Sequence, residues 1–132
     1  MDREALQAFI DNNIHINFDW KNLSHNTSIN IDFVLSNLDK PWDWQILSQN
    51  SAIKVADIMA NLKLGWVWSY VSRNPSVTMQ DVLDNPEMPW DFYRLSSNPS
   101  ITFQDAIDNK EFNWYWPSVS NKPITAISIP KR

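Results

Sequence analysis

The chain has 132 residues, 43% of them hydrophobic and 20% charged, a size and balance that fit one domain with a buried core and argue against global disorder. A net charge of −4 argues against a general phosphate binder, which needs clustered Lys and Arg, and the absence of Cys excludes disulfides and thiolate metal sites. With one Gly against eight Pro, turns fall mostly to Asn and Pro, which argues against a hairpin-rich β fold.

In chain order, residues 1–17 come first as an N-terminal capping helix. Ala5, Leu6, Phe9 and Ile10 are spaced helically, and the pattern ends at Asn12-Asn13. From residue 18 a pattern returns every 24 residues, with starts at 18, 42, 66, 90 and 114. Full repeats are therefore 18–41, 42–65, 66–89 and 90–113, followed by a partial repeat over 114–125 and a loose tail over 126–132.

The columns of the repeat are strict. Position one reads Phe18, Trp42, Trp66, Trp90, Trp114, and position three reads Trp20, Trp44, Trp68, Phe92, Trp116, which together hold all eight Trp. Position six is Leu23, Leu47, Val71, Leu95, Val119, and position seven is Ser24, Ser48, Ser72, Ser96, Ser120. Position nine is Asn26, Asn50, Asn74, Asn98 and then Lys122; position twenty is Asn37, Asn61, Asn85, Asn109.

Each unit reads as two short helices. The second, helix B, is the clearer: Thr102 caps it, Asp105 stands at the acidic place of a capping box, and it should run about 103–109. Thr78 and Asp81 repeat that grammar, Asn30 can cap in the first unit, and Lys54 makes a poor cap in the second. Asn at the end of helix B suits a left-handed or turn conformation, except that Pro86 restricts Asn85 to extended geometry. Helix A is expected to start at Pro-Trp-Asp, as in Pro89-Trp90-Asp91, with the Pro and the acid in its first turn, and to stop at Asn-Pro. Pro117 is acceptable only in a first turn.

Helices this short are unstable alone in water, so neighbours must bury each other's faces. The fold class is all-α: an α-solenoid of short helix–turn–helix repeats with a 24-residue period.

The run Pro41-Trp42-Asp43-Trp44 with Leu47-Ser48-Gln49-Asn50, followed in another unit by Asn98-Pro99-Ser100-Ile101-Thr102, resembles tryptophan-rich tandem repeats in proteins of giant DNA viruses that infect amoebae. The resemblance covers about residues 18–125, with two departures: Gly65-Trp66-Val67-Trp68 lacks the Pro and Asp, and Ser51-Ala52 replaces Pro-Ser. It implies viral origin and a binding or scaffolding role, and it carries over no catalytic residue.

Position three shares a helical face with the Leu column, so Trp20, Trp44, Trp68 and Trp116 are expected in the core with Leu47 and Leu95. On one helix, positions one and three point about 200° apart. Trp42, Trp66, Trp90 and Trp114 therefore either pack on the neighbouring unit, the favoured reading, or line an exposed ladder for Pro-rich peptides or sugars. The Ser column lacks the recurring base that a nucleophile needs, since His15 and His25 do not repeat. The acids, among them Asp43, Asp57, Asp81, Asp91 and Asp105, are placed for helix starts rather than for one converging site. No catalytic, metal or cofactor site is assigned.

The variable positions four, five and eight carry the functional lead: Lys21, Asn22, His25, Gln45, Ile46, Tyr70, Arg73, Tyr93 and Arg94 form the candidate partner-binding surface. The expected function is a non-enzymatic protein-interaction module with a host or viral protein partner. Alternatives are a nucleic-acid-binding solenoid using Lys21, His25, Arg73 and Arg94, which the acidic pI of about 4.9 disfavours, and a structural virion component or self-assembling subunit. With no long apolar run and no signal-like start at Met1-Asp2-Arg3-Glu4, the expected location is intracellular, in host cytoplasm or nucleus, or the virion, without membrane association.

Overall fold

The computed structural model describes residues 3–13 and 16–125; the expected tail over 126–132 lies outside the described residues. Among those described, all regular structure is helical, in ten short helices. Helix α1 spans Arg3–Asn12. The A helices are α2 (Trp20–His25), α4 (Trp44–Ser48), α6 (Trp68–Val71), α8 (Phe92–Ser97) and α10 (Trp116–Val119). The B helices are α3 (Ile31–Leu35), α5 (Val55–Met59), α7 (Met79–Asp84) and α9 (Phe103–Asp108).

The B helices start where the sequence places them. Thr78 and Thr102 accept from the N–H of Asp81 and Asp105, whose carboxylates accept in return from the threonine N–H groups. Asn30 caps α3, and Lys54 offers α5 no side-chain acceptor, leaving only the return bond from its N–H to Asp57. Their ends differ from expectation: no described residue has positive φ. Asn85 and Asn109 share nearly the same backbone geometry, although only Asn85 precedes a proline. The termination is instead made by the side chain. The amides of Asn37, Asn61, Asn85 and Asn109 donate back to the carbonyls of Phe33, Asp57, Asp81 and Asp105, satisfying acceptors that a helix end leaves open.

The A helices begin three residues later than expected. Asp19, Asp43 and Asp91 are N-caps in extended geometry, accepting from the N–H groups of Asn22, Ile46 and Arg94, so helix starts at position three. Pro41 and Pro89 lie outside the helix, in three-residue turns closed by Trp42 N–H onto Lys40 and Trp90 N–H onto Met88. Gly65 takes their place in the third unit, where a Cβ would lie 2.7 Å from Trp44 Cγ. Pro117 falls in the first turn of α10, where its missing N–H costs nothing.

Because position one precedes the helix, the 200° separation does not apply; position one packs on the neighbouring unit, the favoured reading, while position three, expected in the core, packs against it only partly buried. Trp42, Trp66, Trp90 and Trp114 are buried, whereas Trp20, Trp44 and Trp68 are half-buried. Each position-one indole meets the position-three ring of the preceding unit edge-on, at centroid distances of 5.0 Å (Trp20–Trp42), 5.2 Å (Trp44–Trp66), 5.1 Å (Trp68–Trp90) and 5.1 Å (Phe92–Trp114). Trp116, expected in the core, is 39% exposed because no described unit follows to cover it. Each indole N–H also donates to the carbonyl of the preceding position-twenty Asn, at 2.8 to 2.9 Å.

Two polar columns lock unit to unit. Each Ser of position seven donates to the position-three carbonyl of its own helix, and Ser24, Ser48, Ser72 and Ser96 accept from the position-two N–H of the next unit, at 2.8 to 3.0 Å. Each Asn of position nine from Asn50 onward donates backwards across 24 and 26 residues, as Asn98 does to Asn74 and Ser72. Its side-chain oxygen accepts from the N–H two residues on, holding the turn between helices. Lys122 substitutes for Asn in this column and donates to Asn98. Burial holds its ammonium below the usual lysine pKa, with the charge of Asp105 partly opposing.

Ser72→Ala tests one rung. It should cost about 1–3 kcal/mol in a urea titration, because the Asp91 N–H loses its acceptor inside the array. Ser120→Ala should cost little, since Ser120 is exposed and takes no N–H from a following unit among the described residues.

Candidate interaction surface

The invariant columns face inward and are consumed by packing. The serine hydroxyls each donate along their own helix, and the position-two carboxylates cap helix starts. No group of three or more potential metal-ligating side chains gathers among the described residues. The residues expected to form a partner surface lie on the variable columns of the A helices.

Lys21, Asn22, His25, Gln45, Arg73 and Tyr93 are exposed. Tyr70 and Arg94 are half-buried, and Ile46 corrects the expectation: it is 8% exposed and belongs to the interior. Position five lies on the flank of helix A, and an aliphatic side chain there gains by leaving water where its polar counterpart Asn22 does not. Arg94 is partly committed, its guanidinium 3.8 Å from the Asp91 carboxylate. Arg73 lies over the Tyr70 ring, 5.5 Å from its centroid.

The surface gathers most strongly near the last two units. Tyr93 is 59% exposed and meets Tyr115, itself 45% exposed, with ring centroids 4.9 Å apart. The pair borders an open groove of about 410 Å³ lined by Trp90, Asp91, Asn113 and both tyrosines. Tyr115 was not among the residues expected there. Its column reads Asp19, Asp43, Val67, Asp91 and Tyr115, and that departure from the cap residue was the available signal.

The position-one indoles are not part of any exposed ladder. That arrangement was the sole support for a sugar-binding reading, which therefore falls away. No helix among the described residues is long and apolar enough to cross a membrane. Comparison with protein-family models, with curated proteins and with solved structures returned no match.

Proposed function

We propose that this chain is a non-enzymatic interaction module, of the kind giant-virus tryptophan-rich repeats would supply, that docks an extended segment of a protein partner across its variable columns. The observation that carries this reading is the Tyr93–Tyr115 pair: two large aromatic rings, in tilted contact with each other and open to water, beside a shallow groove. Exposed Tyr supplies rigid contact area at low entropic cost, and such residues dominate binding energy where they occur. Arg73 and Tyr70 would extend the contact into the third unit. The proposed setting is inside an infected cell or in the virion.

Affinity capture from infected cells, with wild type beside variants carrying Tyr93→Ala, Tyr115→Ala or Tyr70→Ala, tests the surface. Loss of the same captured protein with each tyrosine change supports it; unchanged capture places the binding face elsewhere. A nucleic-acid role would draw on Lys21, His25, Arg73 and Arg94, but Arg94 faces Asp91 and the net charge is −4. Retardation of nucleic acid in a low-salt gel would favour that role instead.

A further inference from the structure

Helix α1 has the geometry of a helix B. Asn13 donates its amide to the Phe9 carbonyl as Asn37 does to Phe33, and Ile10 is buried as Val34, Ile58, Val82 and Ala106 are. The backbone bonds Asn13 N–H to Ile10, Ile16 N–H to Asn13 and Phe18 N–H to Ile16 repeat those from Asn37, Lys40 and Trp42 to Val34, Asn37 and Lys40. Phe9 meets Phe18 edge-on at 6.2 Å, as Phe33 meets Trp42 at 6.0 Å. Among the described residues, then, the array starts with a helix B that no helix A precedes, and it finishes with α10, a helix A that no helix B follows.

The two ends carry opposite halves of the contact made between successive units. At the first end, Asp19 N–H and the Asn26 amide are the counterparts of groups that elsewhere donate to Ser hydroxyls and to backbone carbonyls of the preceding unit. Among the described residues neither finds such an acceptor. Leu23 is half-buried where Leu47, Val71, Leu95 and Val119 are fully buried, and Asn26 is exposed where Asn50, Asn74 and Asn98 are buried. At the other end stand the missing acceptors: the exposed Ser120, whose counterparts each take an N–H from the following unit, and the half-exposed Trp116 ring. Past the end of α10, between the start of α9 and residues 122–125, lies a groove of about 430 Å³ bordered by Ile101, Phe103, Lys122, Ile124 and Thr125. Phe103 is half-buried there, as its counterpart Ile31 is, whereas Val55 and Met79 are buried.

We propose that copies of this chain stack head to tail, with the second copy's α1 entering the groove past the end of α10 so that the two helices form one composite unit. Asp19 N–H then meets Ser120 Oγ of the preceding copy, the Asn26 amide meets the carbonyls of Ser120 and Lys122, and Phe18 covers Trp116. The occupant is a second copy because this chain's own interior repeats the same contact between each pair of successive units, with donors on one side and acceptors on the other. A heterologous contact of this kind propagates rather than closing as a two-fold dimer. It uses the ends of the array and is independent of the tyrosine surface.

The test uses two full-length variants. Ser120→Arg puts bulk on the acceptor end and Asn26→Arg on the donor end; both positions are exposed in the single chain, and far-UV circular dichroism verifies that each variant folds. Sedimentation velocity should show the wild type growing past twice the monomer mass as concentration rises. Each variant alone should stay monomeric, and an equimolar mixture of the two should stop at twice the monomer mass. A wild type that stays monomeric throughout, or a mixture that never forms the dimer, overturns the proposal. Tyr93→Ala should leave this association intact, which separates it from the failure of the partner surface.

Discussion

Trp42→Ala should lower the unfolding free energy by about 3–5 kcal/mol, the range for removing a buried Trp. The indole lies edge-on to Trp20 at 5.0 Å and to Phe33 at 6.0 Å, and its N–H donates to the Asn37 carbonyl inside the array. Removing it vacates the contact between two units as well as the interior of one. Against a total of about 5–15 kcal/mol for a domain, the variant sits close to unfolded. Trp42→Phe keeps most of the ring contact and loses the N–H bond, so its loss should be nearer 1–2 kcal/mol; Phe18 is the chain's own example of that substitution. Trp116→Ala is the control, because a ring already 39% exposed has less to lose. Urea midpoints that rank these three variants in any other order would show that position one does not carry the unit-to-unit contact.

Asn74→Asp should be as damaging, and it should depend on pH. The Asn74 amide is fully buried and shares its hydrogens among the carbonyls of Ser48, Asn50 and Ile53 at 2.8 to 3.0 Å. A carboxylate in that place turns a donor into a charge facing three acceptors, which costs about 3–5 kcal/mol at neutral pH. Burial and those carbonyls raise the pKa of the introduced acid above its unfolded value of about 3.9. With the folded-state pKa raised, the native state holds the proton longer than the unfolded state does. Stability relative to wild type is therefore best at or below about pH 4, and falls as pH rises through the folded pKa. Paired urea titrations at acid and neutral pH check it. Asn26→Asp, at the same column without a unit beneath it, should show little of either effect at concentrations where the chain is monomeric; a flat pH dependence for Asn74→Asp would mean that the amide is not held as described.

Much of this architecture was legible because the constraints are local and repeated. Thr78 with Asp81, and Thr102 with Asp105, announce helix B through a side-chain pattern that has one good reading. The start of helix A was not legible in the same way. Pro-Trp-Asp fits a helix opening on Pro with an acid in its first turn, and equally a turn at Pro followed by an Asp cap. Only the bond from Ile46 N–H to Asp43, with its counterparts, separates the two. From that three-residue shift followed the partial exposure of the position-three tryptophans, which had been expected in the core. The exposure of the variable columns was legible only in part: Lys21, Gln45 and Tyr93 at position four and His25 and Arg73 at position eight are exposed, but Ile46 at position five and Tyr115 outside these columns show the limit. Side chains at those positions follow their own polarity and their neighbours more than their column, and neither neighbour is adjacent in sequence.

The backward amide bonds of Asn74 and Asn98 reach the carbonyl exactly one period earlier and carry the consequence for how such a chain tolerates change in length. A loss or gain of one residue between rungs would leave every later serine and indole facing the wrong mate. A loss or gain of a whole block of 24 meets an identical seam on either side. Growth and shortening of this protein should therefore be quantised, with duplication as the natural route from a small ancestor to a longer array.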